Sequence, residues 1–182
     1  MMCDRISELF EEIEKISNYL QENEEPSYKI SFGGMSAKFF TLCIASYFES
    51  ELKQIVETFI YDVSKNELIV SFVKNKGIER QYHAWFDWDK RNANKFFSLF
   101  GERFKTFMKQ KIDEGNSQIK KGMEDFLAIG QSRNNLTHND IHSFPFNDTI
   151  SESYERYKNS LLFIKCVKDS LYECAQSLSD DV

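Results

Sequence analysis

Residues 36–63 read SAKFFTLCIASYFESELKQIVETFIYDV, and this stretch sets the fold class of the chain. Its apolar side chains recur at the three- and four-residue intervals that bring them to one face of a helix. We therefore predict a long central helix over the whole stretch, with Ser36 as its N-cap. The predicted apolar stripe consists of Phe39, Leu42, Cys43, Phe48, Leu52, Ile55, Val56, Phe59 and Ile60.

The segment before this helix is acidic and carries the same periodicity. Residues 4–23 predict an amphipathic helix, whose apolar face holds Ile6, Leu9, Phe10, Ile13, Ile16 and Leu20. Residues 23–34, which contain a proline and a glycine pair, predict a connection rather than a helix. We therefore divide the chain into an acidic amphipathic helix at residues 1–25, which packs on the main body, and a helical domain at residues 36–178.

Short apolar runs and breaks follow the central helix. Leu68 to Val73 could form a buried strand, but no second run offers it a partner, so we favour a short helix. Residues 77–90 predict an aromatic-rich loop, in which we interpret His83 as a packing or surface residue. Residues 92–111 predict a further helix, whose inward face carries Phe96, Phe97, Phe100, Phe104, Phe107 and Met108.

The C-terminal half predicts two more helices. Residues 113–116 interrupt the helical pattern. The next helix contains Gly130, where a bend or the close approach of another backbone is expected. Pro145 disfavours helical geometry at the residue before it, so the final helix begins after a cap at Asn147 or Asp148. The whole pattern predicts an all-α bundle with long antiparallel helices.

Composition bounds the class of protein. Of 182 residues, 41% are hydrophobic, 15% are aromatic and only two are proline, which predicts one packed helical core rather than a disordered chain. No apolar run approaches the roughly 18 residues of a membrane span, and the acidic N-terminus lacks the features of a secretory signal. The cysteines at positions 3, 43, 166 and 174 have no metal-ligand spacing, so we expect reduced thiols in a cytoplasmic protein.

Negative charge is concentrated at one end of the chain. The formal net charge is −6, and residues 1–25, with eight acidic and two basic side chains, account for all of it. Residues 101–122 carry six basic side chains against three acidic ones. This excess is typical of a solvated helix face, or else it forms a patch that follows a nucleic-acid backbone. The candidate RNA-binding residues in it are Lys109, Lys111, Lys120 and Lys121.

The polar run Arg133-Asn134-Asn135-Leu136-Thr137-His138 follows this segment. Arginine offers a planar fork of donors to phosphate oxygens, and histidine can accept and return a proton near neutral pH. Metal-free RNA cleavage needs both groups. Five residues of ideal helix, however, leave the two side chains about 140° apart. They converge only where the helix bends or ends, or where a second subunit completes the site.

A structural role for these residues is the alternative. Arg133 would then pair with Glu124 or Asp125, and His138 would cap the helix end. His142 follows His138 by four residues, but the approaching proline makes a continuous helix between them doubtful and no third ligand is evident. We therefore expect no metal and no cofactor.

Three upstream stretches accompany the motif: Tyr47 to Leu52, Trp85-Phe86-Asp87-Trp88, and residues 94–101. In this order, and with Arg133 and His138 matching an R-x4–6-H motif, the chain resembles the RiboL-PSP type of the HEPN superfamily over most of residues 36–178. The resemblance implies a HEPN-like helical bundle. It also implies a metal-independent endoribonuclease that acts on RNA as a homodimer.

The resemblance also implies roles for single residues. Arg133 would stabilise the phosphate, His138 would be the acid–base residue, and Asn134 would hold the site through its amide. The superfamily implies a place in toxin–antitoxin or anti-phage defence, with a neutralising antitoxin or another defence-system protein as a partner.

Two other functions stay open. The chain could be a non-catalytic HEPN-type module that binds a nucleotide, RNA or a protein partner. It could also be a structural adaptor that docks a partner on its acidic first helix. Substitution of Arg133 or His138 separates the enzyme from both, since only catalysis should then be lost.

Overall fold

The computed structural model describes residues 5–114 and 117–179, and every regular element in these ranges is helical. The predicted all-α class is confirmed, including the choice of helix over strand at Leu68 to Val73. The helices are α1 (Arg5–Glu22), α2 (Pro26–Ser64), α3 (Glu67–Val73), α4 (Tyr82–Trp85), α5 (Asn94–Ser98), α6 (Glu102–Asp113), α7 (Ser117–His138) and α8 (Ile150–Ser179), with a π-helical turn at Lys74–Ile78 after α3.

Helix α2 is longer than its sequence pattern predicted. It begins at Pro26, because a missing backbone N–H costs little in the first helical turn, and it passes through Gly33 and Gly34 without a break. The predicted connection over residues 23–34 is therefore wrong. The turn between α1 and α2 is confined to three residues, of which Glu24 has a positive φ of 57°.

The predicted stripe of α2 is buried at Phe48, Leu52 and Val56, but at Phe39 the buried face is turned by one residue. Phe40 and Ile44 are fully buried, whereas Phe39 is 56% exposed. An adjacent pair of aromatic residues offers two positions for one face, and spacing alone could not decide between them. Ser36 is not the predicted N-cap: it is buried within the helix, and its hydroxyl donates to the carbonyl of Phe32 at 2.5 Å.

The predicted helix over residues 92–111 is interrupted. Gly101 separates α5 from α6 and has a φ of 93°, a conformation that residues with a side chain rarely adopt. The aromatic side chains of both helices nevertheless enter the core, as predicted. Phe96, Phe97 and Phe104 are all buried.

The core of the bundle lies between α2, α7 and α8, and α1 packs across α2 and α8. The ring of Phe126 in α7 contacts Phe48 of α2 and Phe163 of α8, at centroid distances of 5.6 Å in each case. In α1, the ring of Phe10 stacks on Tyr154 at 4.1 Å. The acidic helix is thus joined to the bundle through its apolar face. The domain boundaries predicted at residues 25 and 36 stay a prediction.

The final helix begins as predicted, but its cap is one residue later. Thr149 and Glu152 form a reciprocal capping box, in which each side chain accepts from the backbone N–H of the other at 3.1 Å and 2.8 Å. Asp148, one of the two expected caps, instead pairs with Arg156. Asn147, the other, is exposed.

No helix in the described ranges is long and apolar enough to cross a membrane. Cys43, Cys166 and Cys174 are free thiols, and burial raises the pKa of both Cys43 and Cys166. Cys43 and Cys166 are therefore poor nucleophiles at neutral pH. Cys3 lies outside the described residues.

Candidate active site

Helix α7 continues without interruption to His138, so the whole polar motif lies on its last two turns. Leu136 is 2% exposed and anchors this segment in the core, whereas Thr137 and His138 are exposed. The Thr137 hydroxyl donates to the carbonyl of Arg133 at 2.9 Å. The helix ends before His142, so the two histidines do not share a helix face.

The segment after α4 packs against α7 at Gly130. The indole ring of Trp88 lies directly over this glycine, and a Cβ atom added there would overlap the ring. The indole N–H of Trp88 donates to the backbone carbonyl of His83 at 3.0 Å. Neither a bend nor the close approach of another backbone, the two alternatives predicted at Gly130, is found: the helix is continuous, and the close contact is made by a side chain.

Arg133 lies one turn beyond Gly130, on the same side of α7. Its Nη1 donates to Oδ1 of Asn134 at 3.1 Å, and its Nη2 lies 3.8 Å from a carboxylate oxygen of Glu49 in α2. The side chain is 36% exposed. The ion pair of Arg133 with Glu49 is therefore long and joins α7 to α2. The pairing considered in the sequence analysis, with Glu124 or Asp125, would have lain within α7.

Asp125, one of the two carboxylates expected to pair with Arg133, has other partners. It is 3% exposed, and its carboxylate accepts from Lys121 at 2.6 Å and from Nδ2 of Asn159 in α8 at 2.9 Å. The expected pairing with Glu124 or Asp125 is replaced by the contact with Glu49. The sequence pattern favoured a neighbour on the same helix and could not show that α2 crosses α7 here.

The guanidinium of Arg133 keeps donors available to a ligand. Glu49 has a closer cation, because Lys53 one turn along α2 contacts it at 2.5 Å. A guanidinium carries five N–H donors, and within the described residues those of Arg133 make one hydrogen bond and one long ion pair. An anion could therefore bind this side chain without breaking a strong contact.

A small cavity opens beside Arg133, where α2, α4 and α7 meet. Its volume is about 10 Å³, enough for about one water molecule, so that one group of a ligand rather than a whole nucleotide could enter. The lining residues are Ala45, Phe48, Tyr82, His83, Trp88, Phe126, Ile129, Gly130, Arg133 and Asn134.

His83 is the residue in this group that sequence reasoning did not connect with the motif. Its predicted surface position is confirmed, since it is exposed. Its closeness to Arg133 depends on a loop that lies far upstream in the chain. The aromatic density of residues 77–90 was the feature that could have indicated this contact, because those rings must pack on another element.

Tyr82, which precedes His83, supports the cavity without taking part in proton transfer. Burial strongly raises the pKa of its phenol; the Glu49 carboxylate adds to the rise, and Arg133 opposes it. The hydroxyl therefore stays protonated at neutral pH. It can pack or donate a hydrogen bond, but it cannot act as a general base there.

His138 does not line the cavity that Arg133 and Asn134 share. It is the last residue of a continuous helix, and helical geometry turns its side chain about 140° away from Arg133. Within one chain, the structure therefore brings Arg133 and Asn134 together and leaves His138 apart. A second subunit is the remaining way to unite the pair.

The candidate RNA-binding lysines lie away from the motif. Twelve residues of helix between Lys121 and Arg133 correspond to about 18 Å. Lys111 and Lys121 are already paired, with Glu173 and Asp125 respectively, at 2.6 Å each. Lys109 and Lys120 are exposed.

A metal centre has no support in the described part of the chain. Residues 5–114 and 117–179 contain no group of three or more histidine, cysteine, aspartate or glutamate side chains that could hold a metal ion.

The helical bundle and the polar end of α7 define an all-α protein with an R-x4-H motif at a helix terminus. The chain belongs to the RiboL-PSP-HEPN family, whose model matches residues 4–173. The match includes α1, the loop with Trp88 and the motif on α7. The HEPN-like bundle implied by the sequence is thereby confirmed. No curated protein and no solved structure matches the chain.

Proposed function

We propose that this protein is a metal-independent endoribonuclease that is active as a homodimer. The observation that carries the proposal is the state of Arg133. Its guanidinium is partly exposed at the mouth of a cavity, is oriented by the amide of Asn134, and keeps donors for a phosphate. Membership of a HEPN family supports an RNA-related role for such a group.

The proposed reaction needs one base, one acid and one fixed cation. The base takes the proton of a ribose 2′-hydroxyl, whose oxygen then bonds to the adjacent phosphorus. The bond from phosphorus to the 5′-oxygen breaks, and the acid protonates that oxygen. The products are a 2′,3′-cyclic phosphate and a 5′-hydroxyl. Arg133 stabilises the charge on the phosphoryl oxygens, and His138 from each of two chains supplies base and acid.

In a homodimer, Arg133 of one chain can meet His138 of the other, although the two residues lie apart within one chain. Apolar side chains on the first half of α2 and in the loop after His138 offer a surface for a second copy. Met35 is 66% exposed, Phe39 56% and Ile141 44%. Lys38 ties these two regions together, because its ammonium donates to the carbonyl of Ile141 at 2.7 Å. A dimer formed across this surface would bring the partner subunit close to the exposed His138.

The lysines are proposed to bind RNA at a distance from the cut. Lys109 and Lys120 are exposed and could contact backbone phosphates on either side of the cleaved nucleotide. Such contacts make binding weaker as salt rises, because each neutralised phosphate releases counterions. They would leave the rate of cleavage at saturating RNA unchanged.

The test compares the wild type with Arg133→Ala and His138→Ala. Each purified protein is incubated with end-labelled transfer RNA and messenger RNA in EDTA, and the product ends are mapped. We expect the wild type to leave 2′,3′-cyclic phosphates. Each substitution should lower the rate by at least about 100-fold. Equal cleavage by all three proteins would assign the activity to another site or to a contaminant.

Mixing the wild type with an excess of His138→Ala tests the shared site. Because the proposed reaction needs His138 from both chains, a mixed dimer that has only one should be inactive. Random exchange of subunits should therefore lower the activity per wild-type chain. Wild-type chains that keep their full activity in this mixture would contradict a site shared between subunits.

A non-catalytic HEPN-type module is the second candidate, and the position of His138 outside the cavity favours it. Such a module would bind a nucleotide, RNA or a protein partner without cutting. A well-folded wild-type dimer that binds several RNAs and cuts none would establish it.

For the enzyme, we propose a role in toxin–antitoxin or anti-phage defence. Toxicity on expression, relieved by Arg133→Ala or His138→Ala and by a neutralising partner, is the expected result.

A further inference from the structure

A second histidine, His83, lines the cavity beside Arg133, and the proposed reaction does not use it. His83 lines the same cavity as Arg133 and Asn134, and all three belong to one chain. We propose that these three side chains form a phosphate-binding site that holds the RNA phosphate at the position of cleavage. The RNA in this inference rests on the proposed function, whereas affinity for phosphate can be measured without any cleavage.

The polar groups at the cavity are arranged as donors. Oδ1 of Asn134 accepts from Arg133, and arginine has no acceptor, so the amide orientation is set by this bond. The Nδ2 group of Asn134 therefore points away from the guanidinium and can donate to another atom. Together with Arg133 N–H groups and an imidazole N–H of His83, it offers donors of the kind that tetrahedral oxyanions accept.

The local charge also favours an anion. Arg133 and Lys53 contribute two positive charges against the one negative charge of Glu49, which lies between them at 3.8 Å and 2.5 Å. The lining of the cavity also includes the apolar side chains of Phe48 and Phe126. Hydrogen bonds from a charged donor are stronger beside such side chains than in open water.

A chain of contacts from α7 holds His83 at this position. Gly130 has no side chain, so the Trp88 indole can lie flat against the helix. The indole N–H then donates a hydrogen bond to the backbone carbonyl of His83. Arg133 follows Gly130 by one turn. The glycine therefore acts as a positioning residue for the histidine, through the tryptophan.

The first experiment measures phosphate binding by NMR of the histidine rings. The chain has three histidines, so one substitution each assigns their signals. Inorganic phosphate should shift the His83 ring signals in a saturable way and leave those of His142 unchanged. Arg133→Ala should abolish the shift. An unmoved His83, or equal shifts at His83 and His142, would overturn the site.

The second experiment asks whether the bound group is an RNA phosphate. A 2′-O-methyl RNA oligonucleotide, which cannot be cut by 2′-hydroxyl attack, replaces inorganic phosphate in the same titration. Shifts of His83 with this RNA support the assignment. A response to inorganic phosphate alone would overturn it, because the site would then take a free phosphate. If the wild type cuts no RNA, these titrations still decide whether the anion site exists.

Kinetics distinguish a binding role from a structural one. His83→Gln should raise KM for RNA about tenfold and change kcat little, since it removes a substrate contact. Trp88→Phe keeps a ring over Gly130 but lacks the indole N–H, and it should raise KM in the same direction. His142→Gln is the matched control and should behave as the wild type. An unchanged KM in His83→Gln would overturn the role.

Mixed dimers show whether His83 and Arg133 act from the same chain. In a mixture of Arg133→Ala and His83→Gln, every site that keeps Arg133 has lost its own His83. The mixture should therefore keep the raised KM of His83→Gln. A KM returned to the wild-type value would overturn the single-chain site.

Discussion

In the first half of α7, Gly122 lies so close to α8 that an added Cβ atom would overlap the carbonyl oxygen of Asn159. In the second half, the side chain of Arg133 is 36% exposed and its ion pair is long. At Gly122 the helix thus tolerates no atom added toward α8, whereas in its last two turns it leaves the donors of Arg133 unused. The difference separates the residues that determine the fold from those available for binding and chemistry.

The largest effect is expected at Gly122, where an added atom would meet the backbone of a neighbouring helix. Gly122→Ala should lower the free energy of unfolding by about 3 kcal/mol, because a methyl group against a backbone oxygen forces α7 and α8 apart. The better helix propensity of alanine offsets only part of this. Urea denaturation followed by circular dichroism measures the change.

A second substitution at the same position accompanies this variant. Gly122→Ser should be at least as unstable, since its Cβ atom meets the same oxygen. Stability equal to that of the wild type in both would mean that α7 and α8 are farther apart than the structure shows.

A smaller loss is expected at the buried carboxylate of the same half. Asp125→Ala removes the acceptor of Asn159 Nδ2 and of Lys121 and should cost about 2 kcal/mol, because it leaves a donor of the partly buried Asn159 without its partner. Asp125→Asn keeps an acceptor for Asn159 and should cost less. Thermal unfolding of the three proteins gives the order, and an Asn variant less stable than the Ala variant would contradict the role assigned to the hydrogen bond.

A glycine in open surroundings should behave in the opposite way. Gly34 lies inside α2, and nothing is within 4 Å of an added Cβ atom. Gly34→Ala should therefore raise the free energy of unfolding by about 1 kcal/mol, through helix propensity alone. Measured in the same denaturation series as Gly122→Ala, it should shift the midpoint the other way. A destabilised Gly34→Ala would indicate a contact on this face of α2.

The helical periodicity of apolar residues in the sequence predicted much of the fold. Repeated apolar intervals predicted α1, α7 and α8, although Ile16 on the predicted apolar face of α1 is 47% exposed. The predicted helix boundaries were wrong where they depend on backbone conformations that the sequence pattern does not reveal. Pro26 was interpreted as part of a connection, although proline is compatible with a first helical turn. Gly101 was interpreted as an interior helix residue, although its φ is positive.

The candidate site was predictable only where it is local in sequence. Arg133, Asn134 and His138 were identified from their residue types and spacing, and their proposed roles stay predictions. His83 could not be connected with them, because its position depends on the contact between Trp88 and Gly130. Glu49 was missed as the partner of Arg133 for the same reason. Both contacts depend on how separate helices cross.

The smallest stability effect is expected at the motif itself. Arg133→Ala and His138→Ala should change the free energy of unfolding by no more than about 0.5 kcal/mol, because exposed side chains with long or few contacts contribute little. The same substitutions should abolish cleavage. Differential scanning calorimetry beside the cleavage assay measures both quantities on one preparation. If either variant lost stability on the scale of Gly122→Ala, its loss of activity would report unfolding, and the division of α7 into a packed half and a functional half would fail.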